Sequence, residues 1–120
     1  MNTFSDPRMI LEQLPIYAGQ KIADFGAGSG AYTYLLSKKV GGNPEGVVYA
    51  IEVQKQMVEQ IAREVKEQKL ENVQTIWSDL DEEKGSRLRD NSIQMVIIAN
   101  MLFATDSPKD VIKEAQRILA

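Results

Sequence analysis

The densest chemical signal in this sequence is Asp24-Phe25-Gly26-Ala27-Gly28-Ser29-Gly30. Three glycines at alternate positions let a ligand approach the main chain, and the free amides opening the helix that follows favour an anionic group. A plain strand-to-helix turn needs no such run of glycine, whose lost conformational entropy opposes folding. The pattern therefore reads as a ligand site built on Gly26, Ala27, Gly28 and Gly30. Gly26, Gly28 and Ala31 also fit the spacing G-x-G-x-x-G/A, and Glu52 follows 22 residues after Gly30, where a carboxylate suits a ribose diol.

Two ligand classes satisfy those glycines, and Asp24 discriminates between them. Two residues before the first glycine, its charge would sit against the phosphates of a dinucleotide, an unfavourable pairing of like charges. S-adenosylmethionine carries an ammonium and a sulfonium that favour a nearby carboxylate, while its own carboxylate can take the helix amides. Asp24 therefore points to the methyl donor. An NAD(P)-type dinucleotide-binding oxidoreductase domain stays as one alternative, and a ligand-free structural half-domain as another.

The elements that must position these residues follow from periodicity. Asp6-Pro7 reads as a cap and first helical turn; Met9, Ile10 and Leu14 give a short amphipathic helix that Pro15 stops, so 1–18 form a helix and lead-in. Lys21 to Phe25 is strand one, Ala31 to about Lys39 a helix closed by Gly41-Gly42, and Val47 to Ile51 an unbroken apolar strand with both faces covered. Met57, Val58, Ile61, Ala62 and Val65 form one stripe of a surface helix. Val73 to Trp77 alternates as a third strand whose Trp77 is assigned to the core, as are Met57 and Met95. The polar stretch Ser78–Ser92 reads as a functional loop with room for a helical turn. Ile93 to Ala99 is strand four, and Ser107-Pro108-Lys109-Asp110 a capping-box start to a last helix carrying Val111, Ile112, Ala115, Ile118 and Leu119. Alternating strand and helix periods predict one α/β domain over 1–120: a Rossmann-like three-layer α/β/α arrangement with a parallel sheet.

Composition removes other chemistries. The 120 residues include no cysteine and no histidine, which excludes disulfides, thiolate nucleophiles, Ser-His-Asp triads and thiolate or imidazole zinc sites. With 14 Lys+Arg against 17 Asp+Glu, the net charge of −3 does not indicate nucleic acid or anionic lipid as a partner. No apolar run approaches the roughly 20 residues that cross a bilayer, so a cytoplasmic, membrane-free protein is expected.

These segments resemble the class I S-adenosylmethionine-dependent methyltransferases from about Gln20 to Ala120. Asp24–Gly30 matches the glycine-rich first motif and Val48-Tyr49-Ala50-Ile51-Glu52 the acidic second strand. Trp77-Ser78-Asp79-Leu80 and Asp90-Asn91-Ser92-Ile93 match more weakly. The resemblance implies that S-adenosylmethionine, or its product S-adenosylhomocysteine, binds with Asp24 near its amino group and Gly26, Gly28 and Gly30 lining its methionine and ribose portions. Glu52 would accept both ribose hydroxyls, Val53 pack on adenine, Asp79 accept the adenine amino group, and Leu80 supply a backbone contact. A solvated strand-end acid and a solvated acidic loop are the plain readings of Glu52 and Asp79. Asn100 falls where the family places residues facing methyl and acceptor; it serves equally as a strand-end residue bonding local backbone. Asn100-Met101-Leu102-Phe103 lacks the two prolines found in many methyltransferases of base amino groups, so base methylation is unsupported and the acceptor stays unidentified.

The family's sheet has seven strands in the order 3-2-1-4-5-7-6, and this chain supplies the first four, in the expected order 3-2-1-4. It is expected to be either a segment of a longer methyltransferase or a minimal half-domain, binding donor with or without turnover. Strand four then lies at an edge without the lysine, proline or inward charge that blunts edges, so a homodimer through antiparallel pairing of that strand is expected.

Overall fold

A computed structural model describes residues 6–99, 101 and 105–120. Asp6 caps α1 (Pro7–Glu12) by accepting the Arg8 N–H at 3.0 Å. The helix buries Leu11 and exposes Met9, rather than burying the expected stripe of Met9, Ile10 and Leu14, because under two turns are too few for a period to fix a face. Next, β1 (Lys21–Phe25) runs into α2 (Ala31–Val40), and β2 (Val47–Glu52) into α3 (Lys55–Glu67). Then β3 (Val73–Trp77) leads through an irregular segment to β4 (Met95–Ile97), and α4 (Pro108–Ile118) closes the chain. All pairings are parallel, in the order β3-β2-β1-β4. This is the expected Rossmann-like sheet.

Strand alternation divides the core between two faces. Ile22 and Val48 pack with Leu11, Leu36 and Val40 beneath α1 and α2, and Ala50 packs with Ile61 of α3. Ala23, Phe25 and Ile51 point the other way, onto Val111, Ala115 and Ile118 of α4. Asp24 shares the parity of Ile22 and so projects toward α2. The register sets Asp24 opposite Ala50 and Ile97, and Glu52 opposite Trp77. Both acids thus lie at or near the carboxyl ends of their strands, where ligands of parallel sheets bind.

Several expectations need correction. Strand four pairs over Met95–Ile97, not Ile93–Ala99. Its ladder is limited by β1, whose chain turns away at Gly26 to give its next amides to β2. Ile93 instead forms a single parallel bridge with Leu119, and the Ala120 N–H reaches Ile93 O at 2.8 Å. Trp77 is 58% exposed rather than core: it ends an edge strand, donates its indole N–H to Val53 O at 2.8 Å, and carries the Lys55 ammonium 5.3 Å from its ring centre. Met57 is half-buried and Ala62 exposed, while Met95, also half-buried, packs against the Leu11, Ile22 and Val48 cluster as expected. Ser107 makes no side-chain capping bond; its N–H goes to the Thr105 hydroxyl at 3.1 Å, which draws its backbone away from cap geometry. Residues 78–92, by contrast, form the expected loop, a run of turns closed by bonds such as Glu82 N–H to Asp79 O.

Candidate functional site

The turn after β1 is held almost entirely by main-chain bonds. The Gly26 and Ala27 amides both donate to Ile51 O, at 2.9 and 3.0 Å, and the Gly30 N–H to Ala27 O at 2.9 Å. Gly26, Gly28 and Gly30 have φ of 71°, 56° and 86°, a left-handed region that costs other residues strain. Their surroundings differ. A Cβ on Gly26 would lie 2.6 Å from Met101 Cβ and one on Gly30 2.5 Å from the Tyr34 ring, whereas at Gly28 the nearest atom is Gly26 O at 3.8 Å. Two glycines permit close packing, and Gly28 leaves an open cradle.

Glu52 ties this turn to the next. Its Oε1 accepts the Gly28 N–H and its Oε2 the Gln54 N–H, both at 2.9 Å, and the buried carboxylate keeps further lone pairs for a ligand. Asp24 is 2% exposed and accepts the Thr33 hydroxyl at 2.7 Å. Burial pushes its carboxyl up to about 6; the Thr33 bond opposes the rise and the nearby Glu52 charge adds to it. Ahead of it, the first amides of α2 have no intrahelical acceptor.

Two cavities meet at Gly26 and Gly28. The larger, about 470 Å³, is lined by Asp24, Ala27, Ser29 and Tyr32, with Pro7 and Ile10 of α1 and Ala99. The smaller, about 240 Å³, is lined by Glu52, Val53, Gln54, Ser78, Asp79 and Leu80, with Met101 and Thr105. The sequence-predicted residues are thus brought together in two groups: Asp24 and Ala27 in one cavity, Glu52, Val53, Asp79 and Leu80 in the other, with Gly26 and Gly28 common to both. Gly30 lines neither and acts as the left-handed N-cap of α2. Asn100 lies outside the described residues. Asp79 Oδ1 accepts the Asp81 N–H at 2.9 Å, leaving its second oxygen, while the Leu80 side chain is buried in the core.

Sequence reasoning missed Thr33, Ser78 and Gln54. A polar residue on the buried face of a helix was the available signal for Thr33; the other two follow strand ends, where no pattern marks which groups converge. The fit to an adenosyl ligand is supported from two sides, because the Gly28 cradle has room that a Cβ would fill and the buried Ser78 Oγ has no hydrogen-bond partner among the described residues. Among those residues, no helix is long and apolar enough to cross a membrane and no cluster of acids could hold a metal ion.

The methyltransferase domain family matches residues 22–120. The chain belongs to this family. It is similar to a SAM-dependent methyltransferase from Aquifex aeolicus, 31% identical with a TM-score of 0.84, covering 95% of this chain and 58% of that one. It is also similar to an arsenic(III) S-adenosylmethionine methyltransferase from Chlamydomonas reinhardtii, 26% identical with a TM-score of 0.77 over 89% of this chain and 38% of that one. The [4+2]-cyclase SpnF shares the fold at 19% identity, with a TM-score of 0.81 over 94% of this chain and 40% of that one. Comparison with curated proteins yields no match. The methyltransferase domain thus spans a little over half the length of the Aquifex relative.

Proposed function

We propose that this methyltransferase domain binds S-adenosylmethionine, and its product S-adenosylhomocysteine, across the two cavities that meet at Gly28. The observation that carries this reading is the placement of Glu52: its carboxylate lines the smaller cavity and accepts the Gln54 N–H and the N–H of Gly28, a residue that also lines the larger cavity beside the buried Asp24. In this reading the methionine portion lies over Gly26, Ala27 and Gly28, its ammonium toward Asp24 and its carboxylate toward the first amides of α2. Glu52 accepts the ribose hydroxyls. The adenine lies in the smaller cavity against Val53, with the free Asp79 oxygen toward its amino group and the Leu80 backbone beside it. The sulfonium supplies an electrophilic methyl group; the chain's own contribution is to hold it in line with an acceptor, and no side chain is assigned as acid or base. The dinucleotide alternative would set a pyrophosphate beside Asp24.

The reading extends to a methyltransferase that acts on an unidentified acceptor, as one domain over 1–120 and in the cytoplasm. We include self-association: β4 is the sheet's edge, and Met95–Ile97 has no partner on its outer side among the described residues, although the bridge from Leu119 occupies the edge at Ile93. Sedimentation equilibrium at micromolar concentration should give a dimer; a soluble monomer would remove this part. Calorimetric titration with S-adenosylmethionine, S-adenosylhomocysteine and the nicotinamide cofactors tests the main reading. Binding of the first two and not the others is expected, and the reverse preference would overturn it.

A further inference from the structure

Ser78 follows β3 and lines the smaller cavity, yet its side chain makes no bond to the described residues. The residue is 7% exposed, and its Oγ has no hydrogen-bond partner among the described residues. Only its main chain is engaged, through the N–H donated to Glu52 O at 3.1 Å. Burying a hydroxyl without a partner costs free energy, and the large majority of buried polar groups in native proteins have one.

The neighbouring side chains define what that use would be. Glu52, Asp79 and Asp81 line the same cavity and, ionised, can only accept hydrogen bonds. The Thr105 hydroxyl is committed to Asp81, and Gln54 is exposed. Adenine offers an exocyclic amino group that suits carboxylates and ring nitrogens that need a donor. The uncommitted hydroxyl buried in this wall is that of Ser78, and rotation about one bond moves Oγ among three staggered positions.

We propose that the Ser78 hydroxyl donates to a ring nitrogen of the purine held in the smaller cavity, and so helps determine which base the site accepts. The inference rests on the adenosyl-ligand reading given above. Division of labour follows: the carboxylates recognise the amino group, and Ser78 recognises the ring edge that they cannot serve.

Trp77 is the sole tryptophan and adjoins Ser78, so intrinsic fluorescence, cross-checked by calorimetry, can follow binding. The experiment titrates the 120-residue chain and Ser78→Ala with S-adenosylhomocysteine and its 1-deaza, 3-deaza and 7-deaza analogues, and records thermal unfolding of each ligand-free protein. Ser78→Ala should bind S-adenosylhomocysteine about five- to twenty-fold more weakly. Its ligand-free midpoint should be equal or higher, because an unsatisfied group has been removed. The difference between the two proteins should vanish for the analogue lacking the contacted nitrogen. Unchanged affinity, a loss of equal size across all analogues, or a lowered ligand-free midpoint would each overturn the assignment. Failure of the unsubstituted chain to bind S-adenosylhomocysteine would instead overturn the donor reading itself, and shows before any variant is compared.

Discussion

The turn after β1 and the segment between β3 and β4 both border the smaller cavity but are held by different means. The first is short, and its bonds run from its own amides to the neighbouring strand: Gly26 and Ala27 to Ile51, Gly28 to Glu52. The second is long and is fastened by side chains from the far end of the sequence. Glu114, 5% exposed, accepts the Ser86 N–H at 2.9 Å and the Arg117 guanidinium at 2.7 and 2.8 Å. Arg117 also reaches Asp90 at 2.6 Å and Leu88 O at 2.7 Å. Burial would raise the Glu114 carboxyl, but these donors outweigh it and hold the group below the usual carboxylate range. Gly85 seals the same segment, since a Cβ there would meet Asp79 O at 2.2 Å. The difference separates two jobs: the glycine turn shapes the place where the two cavities meet, and the Glu114 network anchors the segment that walls the smaller one.

Substitutions can pull these jobs apart. The largest effect is expected from Glu114→Ala, which strands a partly buried guanidinium and two Ser86 donors; loss of about 3–5 kcal/mol of folding stability should appear in urea unfolding. A loss below about 1 kcal/mol would mean that the network anchors little. Gly28→Val should do the reverse, abolishing S-adenosylhomocysteine binding in calorimetry while lowering stability by only about 1–3 kcal/mol for its left-handed backbone. A crystal of that variant with ligand in place would break the comparison. Glu52→Ala should weaken binding by about 1–3 kcal/mol, the scale of a lost charge-assisted bond, and equal affinity to the parent would remove its ribose role.

The last effect, of the same order, is one of pH. Asp24 holds its proton up to about 6 in the folded chain against an ordinary value of 3.8. Between those values the folded state binds more protons than the unfolded one, so this group's contribution is greatest below about pH 4, declines as pH rises to 6, and is then level. Asp24→Asn keeps an acceptor for Thr33 and should flatten that decline, leaving the variant about 1–3 kcal/mol more stable near pH 7 relative to its parent. Parallel stability profiles from pH 4 to 8 would show that Asp24 titrates normally. If a ligand ammonium lies beside Asp24, parent affinity should also fall as pH drops below 6, because the protonated acid no longer attracts it.

Local pattern alone determined much of this protein. The alternation of strand and helix periods gave the parallel sheet and its four helices, and the glycine spacing with Asp24 and Glu52 located the turn, because these depend on chain neighbours or on the fixed geometry of one βαβ unit. Tertiary structure decided the rest. Composition could not set the length of β4, which its partner β1 limits, nor the exposure of Trp77, which depends on β3 being an edge. Thr33 against Asp24, Ser86 against Glu114, and Ser78, without a partner among the described residues, are likewise products of convergence. Hydrogen bonding and burial are relations between residues far apart in the chain, and a single sequence records the residue types without recording which of them meet.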